Sequence, residues 1–102
     1  MNVFNLRLPQ QKELSVKEKA FSDAKYNIIV NKDRLASAEV RYIGNRDLTP
    51  IQKKKVLKPQ LERLLRGYIK LLFVYDEYDK ESLEIDKILE YANKLQYELL
   101  LL

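Results

Sequence analysis

The C-terminal half of the chain carries a ridge of apolar and aromatic residues at helical spacing. From residue 57 to residue 99 they recur at alternating intervals of four and three, which places one continuous stripe along a helix. The ridge comprises Leu57, Leu61, Leu64, Tyr68, Leu71, Tyr75, Tyr78, Ser82, Ile85, Leu89, Ala92, Gln96 and Leu99. Only Ser82 and Gln96 are neither apolar nor aromatic. This pattern is typical of coiled coils and helical bundles, so it predicts a helix packed against other helices.

The ridge changes flank halfway along its length. Further apolar residues widen it on one side in the first half and on the other side in the second, namely Leu65 and Leu72, then Ile88, Leu95 and Leu102. A straight helix drifts by about 20° per heptad, so one unbroken helix cannot keep both halves against one neighbour. Residues 76–82 form a polar interval in which Ser82 can cap a new helix starting at Leu83. We therefore expect a break or sharp bend near residues 79–82.

Composition favours long helices over a sheet. The chain has 102 residues, of which 46% are apolar or aromatic, enough for one domain with a buried core. It holds only two glycines and three prolines, whereas a turn-rich β-sandwich uses more of both. Cysteine and histidine are absent, which removes disulfides, thiol catalysis and the commonest catalytic bases and metal ligands. We expect no catalytic residue, no cofactor and no metal site.

Residues 1–12 are predicted to form an extended arm ahead of a single helical domain at residues 13–102. Phe4, Leu6 and Leu8 alternate with polar residues, which is the period-two pattern of an extended segment. A lone strand has no pairing partner within a helical domain. The arm is therefore expected to lie along the bundle or to reach another subunit.

A capping box predicts that the first helix begins at Val16 and runs to about residue 44. Ser15 can accept a hydrogen bond from the Glu18 amide while the Glu18 side chain reaches back to the serine amide. Apolar residues then recur at every seventh position, namely Leu14, Phe21, Ile28, Leu35 and Tyr42. The intermediate positions on the same face are mostly small, namely Ala24, Asn31 and Ala38. Small residues on this line would let a bulky neighbouring helix approach closely.

Two features of the first helix leave questions open. Asn31 is a polar residue on the apolar line, where it can fix helix register at some cost in stability. The β-branched run at residues 26–30 has strand propensity, so a short hairpin through residues 26–43 is the alternative to helix.

A second helix is predicted to start directly after Thr49. This residue is an N-cap threonine followed by proline and glutamine at the first and third helical positions. Pro59 then removes a backbone donor, so residues 50–57 are expected to form a short helix kinked into a longer one. The second helix should span residues 50–79, and a third should span about 82–100.

The predicted fold class is therefore all-α, a small antiparallel helical bundle or helical hairpin with long helices and an extended N-terminal arm. Gly67 is costly in the middle of a helix, so we expect another backbone to approach it closely. The segment Leu99–Leu102 cannot hide four leucines on one helix face. Two apolar groups are therefore predicted to form an interface with another subunit or protein: Phe4, Leu6 and Leu8, and Leu99, Leu100, Leu101 and Leu102.

Charge is distributed unevenly along the chain. Residues 32–70 contain eleven Lys or Arg against four Asp or Glu, whereas residues 71–102 contain three Lys against eight acids. A row of cations on a helix can neutralise phosphates or meet an acidic protein. The candidate binding residues are Lys53, Lys54, Lys55, Lys58, Arg63, Arg66 and Lys70. The simpler alternative is a solvated face, with oppositely charged segments lying side by side.

Two further groups carry weaker functional signals. The acidic residues Asp76, Glu77, Asp79 and Glu81 could bind a hard cation, but no glycine-punctuated calcium loop surrounds them, and solvated charge is the simpler interpretation. The tyrosines on the ridge are typical both of protein interfaces and of a packed core.

These observations favour a non-enzymatic protein–protein interaction or assembly protein, such as an adaptor, accessory factor or inhibitor from a viral or mobile genome. The alternative function is a basic helical nucleic-acid-binding regulator. A homo-oligomer or a protein partner is expected, with nucleic acid as a further candidate and no small-molecule substrate. The longest apolar runs are too short to span a bilayer, so we expect no membrane association and a cytoplasmic location, or one within a virion or host cell.

Overall fold

The computed structural model describes residues 15–44 and 46–102, and these residues form three α-helices. Helix α1 spans Val16–Ile43, α2 spans Pro50–Tyr78 and α3 spans Glu84–Leu100. No strand occurs in the described ranges, so the predicted all-α class is confirmed. The hairpin considered for residues 26–43 is wrong, because that segment lies inside α1. The predicted arm, with Phe4, Leu6 and Leu8, lies outside the described residues.

Side-chain caps fix the starts of the first two helices. The Ser15 hydroxyl accepts from the Glu18 amide at 3.0 Å, and the Glu18 carboxylate accepts from that hydroxyl at 3.1 Å instead of reaching the serine amide. Thr49 and Gln52 form the full reciprocal capping box, with the Gln52 amide donating to Thr49 Oγ1 at 3.2 Å and the Thr49 amide donating to Gln52 Oε1 at 2.8 Å. The predicted starts of α1 and α2 are therefore confirmed.

Helix α2 continues through Pro59, so residues 50–57 do not form a separate short helix. Proline at this position leaves the carbonyl of Lys55 without a helical donor. Both residues are exposed, which allows solvent to hydrogen-bond that carbonyl. The apolar ridge on both sides of Pro59 favours one helix, because Leu57 and Leu61 lie on the same packed face.

The predicted break in the C-terminal half is confirmed. Helix α2 ends at Tyr78 and α3 begins at Glu84, one residue beyond the predicted start. The Glu84 amide donates to Ser82 Oγ at 3.2 Å, so the serine contributes to the new helix start.

Beyond the break, the buried face of α3 is shifted from the predicted ridge. Ile88 and Ala92 are each 7% exposed, whereas Leu89 is 42% exposed and Gln96 faces solvent. Leu89 and Gln96 therefore do not belong to the core. The break lets α3 rotate independently of α2, so the flank marked by Ile88 and Leu95 packs inward.

Helix α2 is the centre of the packing. The Phe21 and Tyr75 rings meet edge to face at 4.7 Å, and the Tyr68 and Tyr91 rings lie 5.7 Å apart. Helices α1 and α3 therefore both run antiparallel to α2, and in the described ranges no Cα atom of α1 lies within 8 Å of one in α3. The core contains Ala24, Ile28, Leu64, Tyr68, Leu71, Tyr75, Ile88 and Ala92.

Helix α1 approaches α2 closely at Gly67, as predicted. A Cβ atom placed on this glycine would lie 3.1 Å from Asn27 Oδ1 and 3.9 Å from the Ile28 Cα. Asn31 is buried beside this contact, and its Nδ2 donates to the Asn27 carbonyl at 2.9 Å and to Asn27 Oδ1 at 3.0 Å. The polar group of Asn31 is therefore satisfied within its own helix.

Candidate functional site

Three predicted cations meet on one flank of α2. Arg63, Arg66 and Lys70 are three and four residues apart, so they share the side of the helix that turns toward α1. They line a cavity of about 360 Å³ whose other walls are Asn27, Asn31, Arg34 and Gly67. The cavity therefore combines cations from both helices with asparagine side chains.

Two more cavities extend this surface along the α1–α2 contact. One of about 400 Å³ adds Asp23, Tyr26 and Val30, and one of about 370 Å³ adds Asp33, Ser37, Ala38, Arg41 and Gln60. Arg34 lines all three cavities, so they adjoin one another along the contact between α1 and α2. We call this surface the basic groove and define it by its cations, Arg34, Arg41, Arg63, Arg66 and Lys70.

The basic groove has an excess of positive charge. Its five cations face two carboxylates, Asp23 and Asp33, which line the outer cavities. Within residues 15–44 and 46–102, none of these cations has a carboxylate within 4.0 Å. Arg63 Nη1 donates to Gln60 Oε1 at 3.4 Å, which is a weak neutral contact. The cations are therefore available to an anionic ligand.

The lysine cluster does not line the basic groove. Lys54 lines a different cavity, and Lys53, Lys55 and Lys58 line none of the three cavities of the groove. Of the predicted binding residues, only Arg63, Arg66 and Lys70 line the basic groove. They share it with two arginines of α1. Arg34 and Arg41 were not among the predicted binding residues. Their spacing of seven residues, which places both on one side of α1, is the signal that could have identified them.

A second concave surface, at one end of the bundle, is lined by residues of all three helices. This apolar pocket has a volume of about 430 Å³ and is lined by Leu35, Glu39, Lys54, Leu57, Leu61, Leu95, Glu98, Leu101 and Leu102. Leucines from all three helices contribute its walls, and a lysine and two glutamates provide its polar atoms. The pocket is therefore suited to an apolar side chain.

The leucine segment at residues 99–102 divides between the pocket and solvent. Leu99 and Leu102 are half-buried, whereas Leu100 is 78% exposed and Leu101 is 65% exposed. One helix face therefore hides only part of the segment, which leaves Leu101 exposed in the pocket wall and Leu100 exposed outside the pocket lining.

The remaining candidates have simpler structural roles. Tyr68 and Tyr75 are buried in the core, and within the described residues no buried side-chain oxygen or nitrogen lacks a partner. Over the same part of the chain, no group of three or more acidic, histidine or cysteine side chains could hold a metal ion. None of the three helices is both long and apolar enough to cross a bilayer.

Comparison with known protein families, with curated proteins and with solved structures gives no match for this chain. The basic groove and the apolar pocket are therefore the features of the chain that bear on its function.

Proposed function

We propose that the protein is a non-enzymatic assembly protein that associates with a second copy through the apolar pocket and its protruding leucines. The observation that carries this proposal is the proximity of the two features, since Leu101 lines the pocket and is also 65% exposed. A surface with a cavity and a matching protrusion side by side can pair with itself about a two-fold axis. Each copy then inserts its leucines into the pocket of the other.

The burial of leucine explains why such pairing would be favourable. Removing a leucine side chain from water stabilises a complex by about 1.5–3 kcal/mol when burial is complete. Leu100 and Leu101 are the most exposed residues of their segment, so they have the most to gain. The glutamates on the pocket rim, Glu39 and Glu98, remain at the edge, where charged groups stay in contact with water.

Sedimentation of the full chain over a range of concentrations tests this proposal. Leu101→Glu should raise the Kd for self-association by about 30-fold or more, because it places a charge at the centre of an apolar interface. Tyr97→Glu is the matched control, since Tyr97 is also 65% exposed on α3 but does not line the pocket. A chain that stays monomeric at every concentration, or equal effects of the two substitutions, would contradict self-association.

We propose nucleic-acid binding as a second candidate function, favoured by the basic groove. Five cations there lie without carboxylate partners among the described residues. Phosphate contacts by such cations make binding strongly dependent on salt. A labelled oligonucleotide titrated at about 50 and 200 mM salt should lose affinity steeply as salt rises. Affinity that stays constant over this range would eliminate this candidate.

A further inference from the structure

One aromatic residue lies at an end of the basic groove and is not used by the core. Tyr26 is 68% exposed, in contrast to Tyr68 and Tyr75, which are 7% and 6% exposed. It lines the same cavity of about 400 Å³ as Arg34 and Lys70. An exposed ring beside backbone-binding cations is the combination by which proteins hold single-stranded nucleic acid, because bases stack on the ring while cations neutralise phosphates.

The cations follow the length of the groove. Arg63 and Lys70 lie seven residues apart on α2, which corresponds to about 10 Å along the helix axis. Arg34 and Arg41 have the same separation on α1, and α1 runs antiparallel to α2. Two rows of positive charge therefore border one concave channel along which an extended phosphate backbone can lie.

The floor of the groove is polar and closely packed. Gly67 lines it where α1 packs closely against α2. The Oδ1 atom of Asn27 accepts a hydrogen bond from Asn31. The side-chain NH2 group of Asn27 is the part of this amide that can donate to a ligand. A concave surface that combines cations with an exposed ring suits a single strand, whereas duplex DNA is read by a helix that protrudes into its major groove.

We propose that the basic groove binds a single strand of nucleic acid, with Arg34, Arg63, Arg66 and Lys70 on the phosphates and Tyr26 stacked on a base. This inference rests on the second candidate function and specifies its ligand. Asp23 lies beside the tyrosine and Asp33 lies toward the other end, so the middle of the groove holds most of the phosphate contacts.

Fluorescence anisotropy of the full chain with a labelled oligothymidylate of about 12 nucleotides tests this inference. The single strand should bind more tightly than a duplex of equal length. Tyr26→Ala should weaken binding by about fivefold or more, and Tyr26→Phe should retain it, because stacking requires only the ring. Circular dichroism should show unchanged helicity, since Tyr26 is largely exposed.

Charge variants test the phosphate contacts. The double variant Arg34→Gln and Arg63→Gln should weaken binding and lower the slope of log Kd against log salt by about 1.4, the loss expected for two phosphate contacts to a single strand. The matched control, Lys87→Gln and Lys94→Gln, removes the same charge from exposed positions on α3 and should change Kd by less than about twofold.

These measurements distinguish single-strand binding from nucleic-acid binding in general. Salt-dependent binding that prefers the duplex, or that is unaffected by Tyr26→Ala, would overturn the single-strand inference and leave nucleic-acid binding standing. No binding, or equal losses in the groove variant and its α3 control, would overturn both. Equal affinity for polyglutamate of the same charge would also overturn both, since it would identify an acidic protein as the ligand.

Discussion

The two sides of α2 contact their neighbours in different ways. Toward α1, the helix presents Gly67, and the backbones come so close that the Ile28 Cα would lie 3.9 Å from an added Cβ. Toward α3, the helix presents a large ring at the next position, with Tyr68 and Tyr91 separated by 5.7 Å. Rings also meet toward α1, but nearer the C-terminal end of α2, where Phe21 and Tyr75 lie 4.7 Å apart. Close contact at a glycine leaves a shallow channel edged by long cationic side chains. The apolar pocket lies away from these rings, at the end of the bundle where leucines of α1, α2 and α3 line it together.

This difference indicates whether substitutions at each surface should affect binding, folding stability or both. The cations of the basic groove are mostly exposed, and exposed charges contribute little to folding stability. Their removal should therefore affect binding more than folding. The leucines of the apolar pocket include Leu61 at 8% exposure, so that surface merges with the core and its replacement should affect both.

The largest loss of stability is expected for a substitution in the core that supports the basic groove and the apolar pocket. Leu71 is 5% exposed in the centre of the cluster, and Leu71→Ala should lower the free energy of unfolding by about 2–5 kcal/mol. Urea denaturation measures this loss, and both binding activities should weaken together. Phe73→Ala, two residues away but 67% exposed, is the control and should change stability by less than about 0.5 kcal/mol. Similar losses in both variants would contradict the assigned burial.

A smaller and more selective effect is expected at the contact between α1 and α2. Gly67→Leu inserts a side chain where an added Cβ already meets Ile28 Cγ1 at 3.3 Å, so it should cost about 1–3 kcal/mol of stability. It should also distort the basic groove while leaving the apolar pocket intact. Oligonucleotide affinity should therefore fall more than self-association, as measured by anisotropy and sedimentation on the same sample.

Gly44→Ala provides the control for that substitution. Nothing lies within 4 Å of a Cβ at Gly44, and its φ of −81° suits alanine. Alanine there should stabilise the fold by about 0.4–1 kcal/mol by restricting the unfolded chain. If Gly67→Leu were equally harmless, the close approach of α1 and α2 would be refuted.

The fold could be predicted from sequence because its main signals are local. Capping at Ser15 and Thr49 depends on residues within one turn, and the break near Ser82 depends on a polar interval between two apolar flanks. The rotation of α3 could not be predicted in the same way. Ile88 and Leu89 are adjacent in the sequence and both are apolar. Only the packing of α3 against α2 decides that Ile88 is buried and Leu89 is not.

The candidate site was predictable only in part, for the same reason. Arg63, Arg66 and Lys70 are visible as a row on one helix. Their companion Arg34 lies 29 positions before Arg63, and its place in the groove depends on how α1 sits on α2. Lys54 looks equivalent in sequence, yet its position on α2 places it in the lining of the apolar pocket instead. Such relations require tertiary structure.

The smallest change in the free energy of unfolding is expected for a substitution at Asn31, the buried polar residue that lines the basic groove. Asn31 is 6% exposed, but both hydrogen bonds of its amide go to Asn27 in the same helix. Asn31→Leu would lose two bonds worth about 0.5–1.5 kcal/mol each and gain apolar burial of comparable size. The free energy of unfolding should therefore change by less than about 1 kcal/mol, with an unchanged denaturant slope. A loss above about 2 kcal/mol would show instead that Asn31 fixes the register of α1 on α2 through a bond across the interface.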